Sequence, residues 1–394
     1  MKWWLAIFAA ILCPAQPAQS PEAVLFGKIQ AKVAQNLDRL PDYTCSETIE
    51  RFRRVKPGGK IERLDTIRLE VAYVGGRELF GWPGSNKIDE PEIKKFVGRG
   101  TSGNGDFAIL PRNAFLRGGT KIYYAGDTEL DGKRAIRFNY RVPETAQSYR
   151  LETNMGEAVV GYEGSFWVDP VTLDLMRLTS AAEGIPAKLG LKSTTTMLNY
   201  SRVAVGGSTF LLPKNSELHM TDADGAESWN RNNFDGCRQF SGQSVIKFDS
   251  PPPEEAAPAA KPQEVNLPEE FVVEIELETP IDSASTAVGD SVRATFRQNV
   301  KSNREIAIPK GAALTGNVVR LEKQSNSYLV GLRFTFVDIG GRTIDLSGRE
   351  NSVGMVRIRN GRVLPMFLGA LVFQVDHVKL SLGTVFQFRS RRQQ

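Results

Sequence analysis

Apolar residues recur every three or four positions near the start of the chain and at every second position through most of the rest. In PEAVLFGKIQAKVAQNLDRLP (21–41), Leu25, Ile29, Val33, Leu37 and Leu40 follow one another at spacings of four, four, four and three. That spacing puts them on one helical face, and Pro41 ends the helix. Period two then takes over in RLDTIRLEVAYV (63–74), KIYYAG (121–126), RAIRFNYRV (134–142), SFWVD (165–169), MRLTS (176–180), TTTMLNYSRVAV (194–205) and SELHMT (216–221). Alternation of this kind predicts half-buried strands. The pairs Gly75-Gly76, Asp131-Gly132, Gly206-Gly207 and Asp224-Gly225 separate them, and such pairs tolerate the positive φ of tight hairpins. The pattern predicts an antiparallel sheet of successive hairpins behind one helix. A shorter helical piece is expected over 91–97, capped by Asp89.

Residues 251–268 break the alternation, with six prolines among eighteen residues. Such a stretch builds no core and reads as a semi-extended spacer. Beyond it FVVEIELETPI, SVRATFRQNV, YLVGLRFTFVDI and RTIDLSG resume the strand pattern. The expected organisation is a leader over 1–20, a β domain with an N-terminal helix over 21–250, a linker over 251–268 and an all-β domain over 269–394. The fold class is mostly β (α+β). The first domain is expected to be a curved antiparallel half-barrel with one packed helix, and the second a small barrel or sandwich.

The leader carries Lys2 and then an apolar run from Trp3 to Leu12. That is the length of a secretory signal and too short to span a bilayer. Cleavage is expected between about 15 and 20, with the mature protein periplasmic or secreted. Cys13 raises a lipoprotein reading, which Leu12 disfavours because lipidation signals want a small residue before the cysteine. Once the leader is gone, Cys45 and Cys237 remain. A pair in an oxidising compartment reads as a disulfide. Closing a loop of nearly two hundred residues contributes at most about 5 kcal/mol by the chain-entropy relation.

The full chain has 394 residues, a net charge of +5 and two histidines, His219 and His377. Two histidines exclude a multi-His metal centre, and the mild charge excludes an ordinary nucleic-acid binder. Charge is uneven, however. From Arg357 to Arg392 seven Lys or Arg face one acid, Asp376. That stretch reads as a solubilising tail or as a dock for an anionic surface. The apolar run at 363–373 is too short to span as a helix and reads as a buried strand or docking face.

The leading helix, the run of hairpins and GSFWVDPVTLDLMRL (164–178) give the first domain a resemblance to the periplasmic lipoprotein-carrier and sensor half-barrels. That resemblance implies a helix laid in the concave face of a curved sheet, sheltering acyl chains or another hydrophobic ligand. LDRLPDYTCSETIER (37–51) with the FWVDP segment is also similar to a group of uncharacterised secreted proteins of soil bacteria. In the second domain PIDSASTAVGDSVRATFRQNV and IAIPKGAALTGNVVRLEK, within 280–323, resemble β-domains of envelope-spanning secretion and conjugation channels.

The candidate chemistry is sparse. The glycines at 98, 100 and 103 match a dinucleotide fingerprint, but the segment before them reads as helical, so a loop is expected. Asp222, Asp224 and Glu227 lack the further ligands and spacing of a calcium loop. His219 reads as an exposed strand residue without a catalytic partner. Ser244 and Lys247 fit an acyl-transfer pattern whose companion motifs are missing. A carboxylate pair for glycoside hydrolysis depends on geometry that sequence does not give. Aromatic side chains crowd the alternating strands, and Tyr123, Phe138, Tyr140, Phe166 and Trp167 are the expected lining of an apolar cleft. The expected function is a non-enzymatic exported envelope protein, without cofactor, holding a hydrophobic ligand such as an acyl chain or lipoprotein segment. Its basic second domain would dock to an envelope protein or an anionic surface. The alternative is a structural or interaction module of an envelope assembly with both cores filled.

Overall fold

The computed structural model describes residues 20–85, 88–98, 100–103, 109–116, 118–146, 149–240, 266–357, 364–367 and 370–392. The expected leader except Ser20, nearly all of the linker, the Ser244 and Lys247 pair, and parts of the 98–103 loop and of the 363–373 run lie outside them. Helix α1 (Pro21–Arg39) begins at Ser20, whose side chain accepts from the Ala23 N–H, and it buries Ile29, Val33 and Leu37. This is the stripe the spacing predicts. The expected helix over 91–97 shrinks to one turn at Ile93–Lys95. Asp89 does not cap it; the Glu92 N–H is taken by Glu90 instead. The sequence reading missed a second helix, α2 (Ile109–Leu116).

The strands of the first sheet are β1 (Tyr43–Arg54), β2 (Glu62–Val74), β3 (Arg77–Gly81), β4 (Lys121–Leu130), β5 (Lys133–Val142), β6 (Tyr149–Thr153), β7 (Gly156–Val168), β8 (Leu175–Glu183), β9 (Leu191–Val205), β10 (Ser208–Asp222) and β11 (Glu227–Gln239). They run in the order β3-β2-β1-β11-β10-β9-β8-β7-β5-β4, with β6 beside β7, and all their pairings are antiparallel. The β4–β5 turn shows why the dipeptides matter: Asp131 and Gly132 have φ of 50° and 78°. Both values belong to the left-handed turn that matches the twist of the strands. Between β7 and β8, Asp169 accepts the N–H groups of Val171 (2.9 Å) and Thr172 (2.7 Å), which reverses the chain just after the FWVDP segment. Cys45 and Cys237 are joined by a disulfide, linking the neighbouring strands β1 and β11.

The second sheet comprises β12 (Glu270–Leu277), β14 (Ser291–Phe296), β17 (Ala313–Gln324), β18 (Ser327–Ile339), β19 (Arg342–Asp345), β20 (Arg349–Arg357), β21 (Leu364–Phe367), β22 (Ala370–Phe373) and β24 (Val385–Arg392). Two short pairs complete it: β13 (Ile281–Asp282) with β23 (Lys379–Leu380), and β15 (Val300–Ser302) with β16 (Glu305–Ile308). Its order is β20-β24-β12-β14-β17-β18-β22-β21, with β19 on β18. The sheet curls far enough that β20 touches β18 and β22 near its other end. Phe271, Phe296, Phe334, Phe386 and Phe388 fill it.

The two sheets do not stand apart. Arg68 N–H donates to the Val288 carbonyl (2.7 Å), and Val288 N–H donates to the Thr66 carbonyl (2.8 Å). Residue 288 thereby extends β2 along its free edge. Arg68 and Asp290 form an ion pair alongside, one contact at 2.7 Å. Gly289 has φ of 99°, and a Cβ there would fall 2.1 Å from the Arg68 carbonyl oxygen, so only glycine allows this approach. One buried apolar cluster runs from Ile49, Ile67 and Val71 into Val288, Val292 and Val318.

Candidate functional site

The register of the first sheet decides which expected site residues meet. Phe138 lies opposite Phe166, and Tyr140 opposite Gly164. Two-residue alternation therefore sends Phe138, Tyr140 and Phe166 to one face, where each is at most 2% exposed. Trp167 points to the other face, with the Arg137 guanidinium 5.3 Å over its ring. Tyr123 faces Asn139 across β4 and β5 and is 55% exposed. Three of the five expected residues are thus brought together, and two stand on the reverse side.

The inward face is layered with rings. Phe138 and Phe166 stack at 5.1 Å. Phe115, from α2, meets Phe166 edge-on at 4.7 Å. Phe26, from α1, lies 6.2 Å from Phe138 and 6.4 Å from Phe166. Tyr124 closes the far side, 5.5 Å from Phe138. These spacings are those of favourable offset and edge contacts. Phe26 was not singled out by the sequence reading, although it lies next to the apolar stripe of α1; Phe115 stood among the aromatics noted there, but as a strand residue and not on a helix. Tyr140 donates its hydroxyl to the Thr179 carbonyl (2.9 Å). Burial holds its phenol well above the ordinary range, with Tyr162 and Tyr200 adding to the rise, so it serves as a neutral donor.

Polar contacts clamp α1 over these rings. Gln30 donates to the Phe115 carbonyl (2.7 Å). Asn36 donates to the Leu211 carbonyl (3.0 Å) and accepts the Leu211 N–H (3.1 Å). Lys32 pairs with Asp174 (3.1 Å), which itself holds Arg202 bidentately at 2.7 and 2.8 Å. Among the described residues a cleft of about 110 Å³ lies beside the helix, bounded by Asn36, Tyr200, Phe210 and Pro213. That is well below the roughly 300 Å³ at which drug-sized sites begin.

One constellation escaped the sequence reading because its members are far apart in the chain. His377 Nδ1 lies 3.2 Å from Ser283 Oγ, and Nε2 lies 3.1 Å from Asp282 Oδ1. A nucleophilic serine needs this order of partners, and it also needs donors for an oxyanion. Here the N–H groups of Ala284, Ser285 and Thr286 are all taken by Asp282, Ser283 Oγ accepts from Val378 N–H, and the imidazole is half exposed. The arrangement pins the β13–β23 pair. His219, the other histidine, stacks flat on Trp229 at 4.9 Å. No cluster of three His, Cys, Asp or Glu suited to a metal occurs among the described residues. Among the same residues no helix is long and apolar enough to cross a membrane.

No protein family matches the chain, and no curated protein does. Among the solved structures that resemble parts of it are two bacterial ones. One is a DUF1329 family protein from Desulfovibrio piger, at TM-score 0.31 and 13% identity, over 56% of this chain and 94% of that one. The other is a domain described as a putative outer membrane lipoprotein-sorting protein, from Vibrio parahaemolyticus, at TM-score 0.33 and 11% identity, over 55% and 93%. Likenesses this distant say nothing about ligand or activity.

Proposed function

We propose that the protein is an exported, non-catalytic interaction protein of the cell envelope, whose curved first sheet has a filled interior and whose surfaces do the work. The observation that carries this reading is the packing of Phe26, Phe115, Phe138 and Phe166 against one another beneath α1; the cleft beside the helix, of about 110 Å³, is not lined by these rings. The Cys45–Cys237 disulfide supports an oxidising compartment, as does the signal-like leader. Docking through the second domain is part of the proposal. Simple anion attraction is a weak basis for it, because Arg389 on β24 already pairs with Glu270 at 3.4 Å and Arg391 lies opposite Glu270 and Glu350.

Native mass spectrometry of protein purified from its own periplasm tests the reading. It should fly without lipid, refuse a fluorescent fatty acid at micromolar concentration, and crosslink in cells to one stable partner through 269–394. An acyl chain that co-purifies in stoichiometric amount overturns it. A second reading, capture of an apolar ligand, is favoured by the narrow stripe of Ile29, Val33 and Leu37 through which α1 covers an aromatic face. Capture then requires α1 to leave. Engineered cysteines locking α1 to β10 at Asn36 and Leu211 would abolish uptake in this case and leave partner crosslinking unchanged in the first.

A further inference from the structure

A second cleft, of about 430 Å³, lies where the two sheets meet. Its size falls inside the range of small-molecule sites (about 300–1,000 Å³). The end of β1, the β10–β11 turn, residues 100 and 101, and the end of β17 all contribute to it, so it exists only because the sheets are docked. Its floor is fixed in advance. Arg51 is 2% exposed and held bidentately by Asp65, with Nε at 2.7 Å from Oδ1. Glu322 is also 2% exposed, held by Arg320 (3.1 Å) and by the Gln324 amide (2.9 Å). Asn230 donates to the Thr101 carbonyl (2.8 Å). Preorganised polar groups of this kind lower the ordering cost of binding.

The lining selects a chemistry. Arg51, Arg53 and Arg54 are matched by Asp222, Glu227 and Glu322, so the field favours neither an anion nor a cation. Charged walls reject an acyl chain. What remains attractive is a neutral molecule rich in donors and acceptors, with apolar faces to set against Phe52 and Leu64. Arg53 has no ion-pair partner among the described residues, and its planar fork suits two adjacent hydroxyls. Burial and the neighbouring Asp224 raise the Asp222 carboxyl. We propose that this cleft between the two sheets binds a segment of an uncharged oligosaccharide. The proposal goes beyond the function above, which concerns the filled interior and the partner surface.

Saturation-transfer NMR of the full chain with chitotetraose, cellotetraose and maltotetraose, at millimolar ligand, tests it. At least one sugar should receive saturation. Its affinity should fall about tenfold or more in Arg53→Ala and vanish in Ala226→Trp, which fills the cleft. Unchanged melting temperatures and an intact disulfide would certify both folds, and the milder Gln324→Ala serves if the Trp variant does not fold. No transfer to any of the three sugars overturns the proposal. So does transfer that survives all of these variants, or a tripeptide binding in place of the sugars. None of these results bears on whether the interior takes fatty acid.

Discussion

Single side chains carry large effects where charge is buried. The Arg51–Asp65 pair sits almost out of solvent, at 2% and 4% side-chain exposure. Burial raises the Asp65 carboxyl against the opposing pull of Arg51. Replacing Asp65 with Asn should cost about 3–5 kcal/mol in urea unfolding, because a buried ion pair loses one of its charges. The double replacement Arg51→Met with Asp65→Leu should recover most of that loss. Asp169 shows the opposite shift: the N–H bonds from Thr172 and Val171 hold its carboxyl below the usual range. Its folded value lies below its unfolded value of about 3.9. The stability it contributes is thus present above pH of about 4 and lost as the pH falls through the folded value. The difference in unfolding free energy between wild type and Asp169→Asn should shrink correspondingly in acid.

Period two made most strands of the first sheet legible, and three-four spacing made α1 legible, because both patterns are local. Facing was not. Tyr123 and Tyr124 are equally aromatic, and only the pairing of Tyr124 with Phe138 tells which one turns inward. The same parity separates Phe166 from Trp167. Helix α2 stayed hidden because it is eight residues long, contains Pro111, and owes its place to a fit of Phe115 against rings on distant strands. That fit makes an element-level prediction. Phe115→Ala should lower stability by about 3–5 kcal/mol and raise protease cleavage near 109–116 while β1 and β11 stay paired. If α2 were a loose flap, the loss would be below about 1 kcal/mol.

At the scale of the whole molecule, a linker rich in proline invites a picture of two independent beads. The docking of 288–290 onto β2 could not be read from composition, since nothing local in that segment announces a distant strand edge. The shared apolar cluster predicts a single calorimetric transition for the full chain. Gly289→Ala should split it into two, because its methyl would collide with the Arg68 carbonyl. A single transition in the variant as well would mean that the junction tolerates separation without loss of cooperativity.

The bond between Cys45 and Cys237 spans 192 positions while its ends sit on adjacent ribbons. Any scission of the intervening backbone, at a hairpin tip for instance, yields two polypeptides that still travel as one. On a gel such nicked material would migrate near full size until a thiol reagent is added. In a compartment patrolled by proteases, a cut could therefore pass without the protein coming apart.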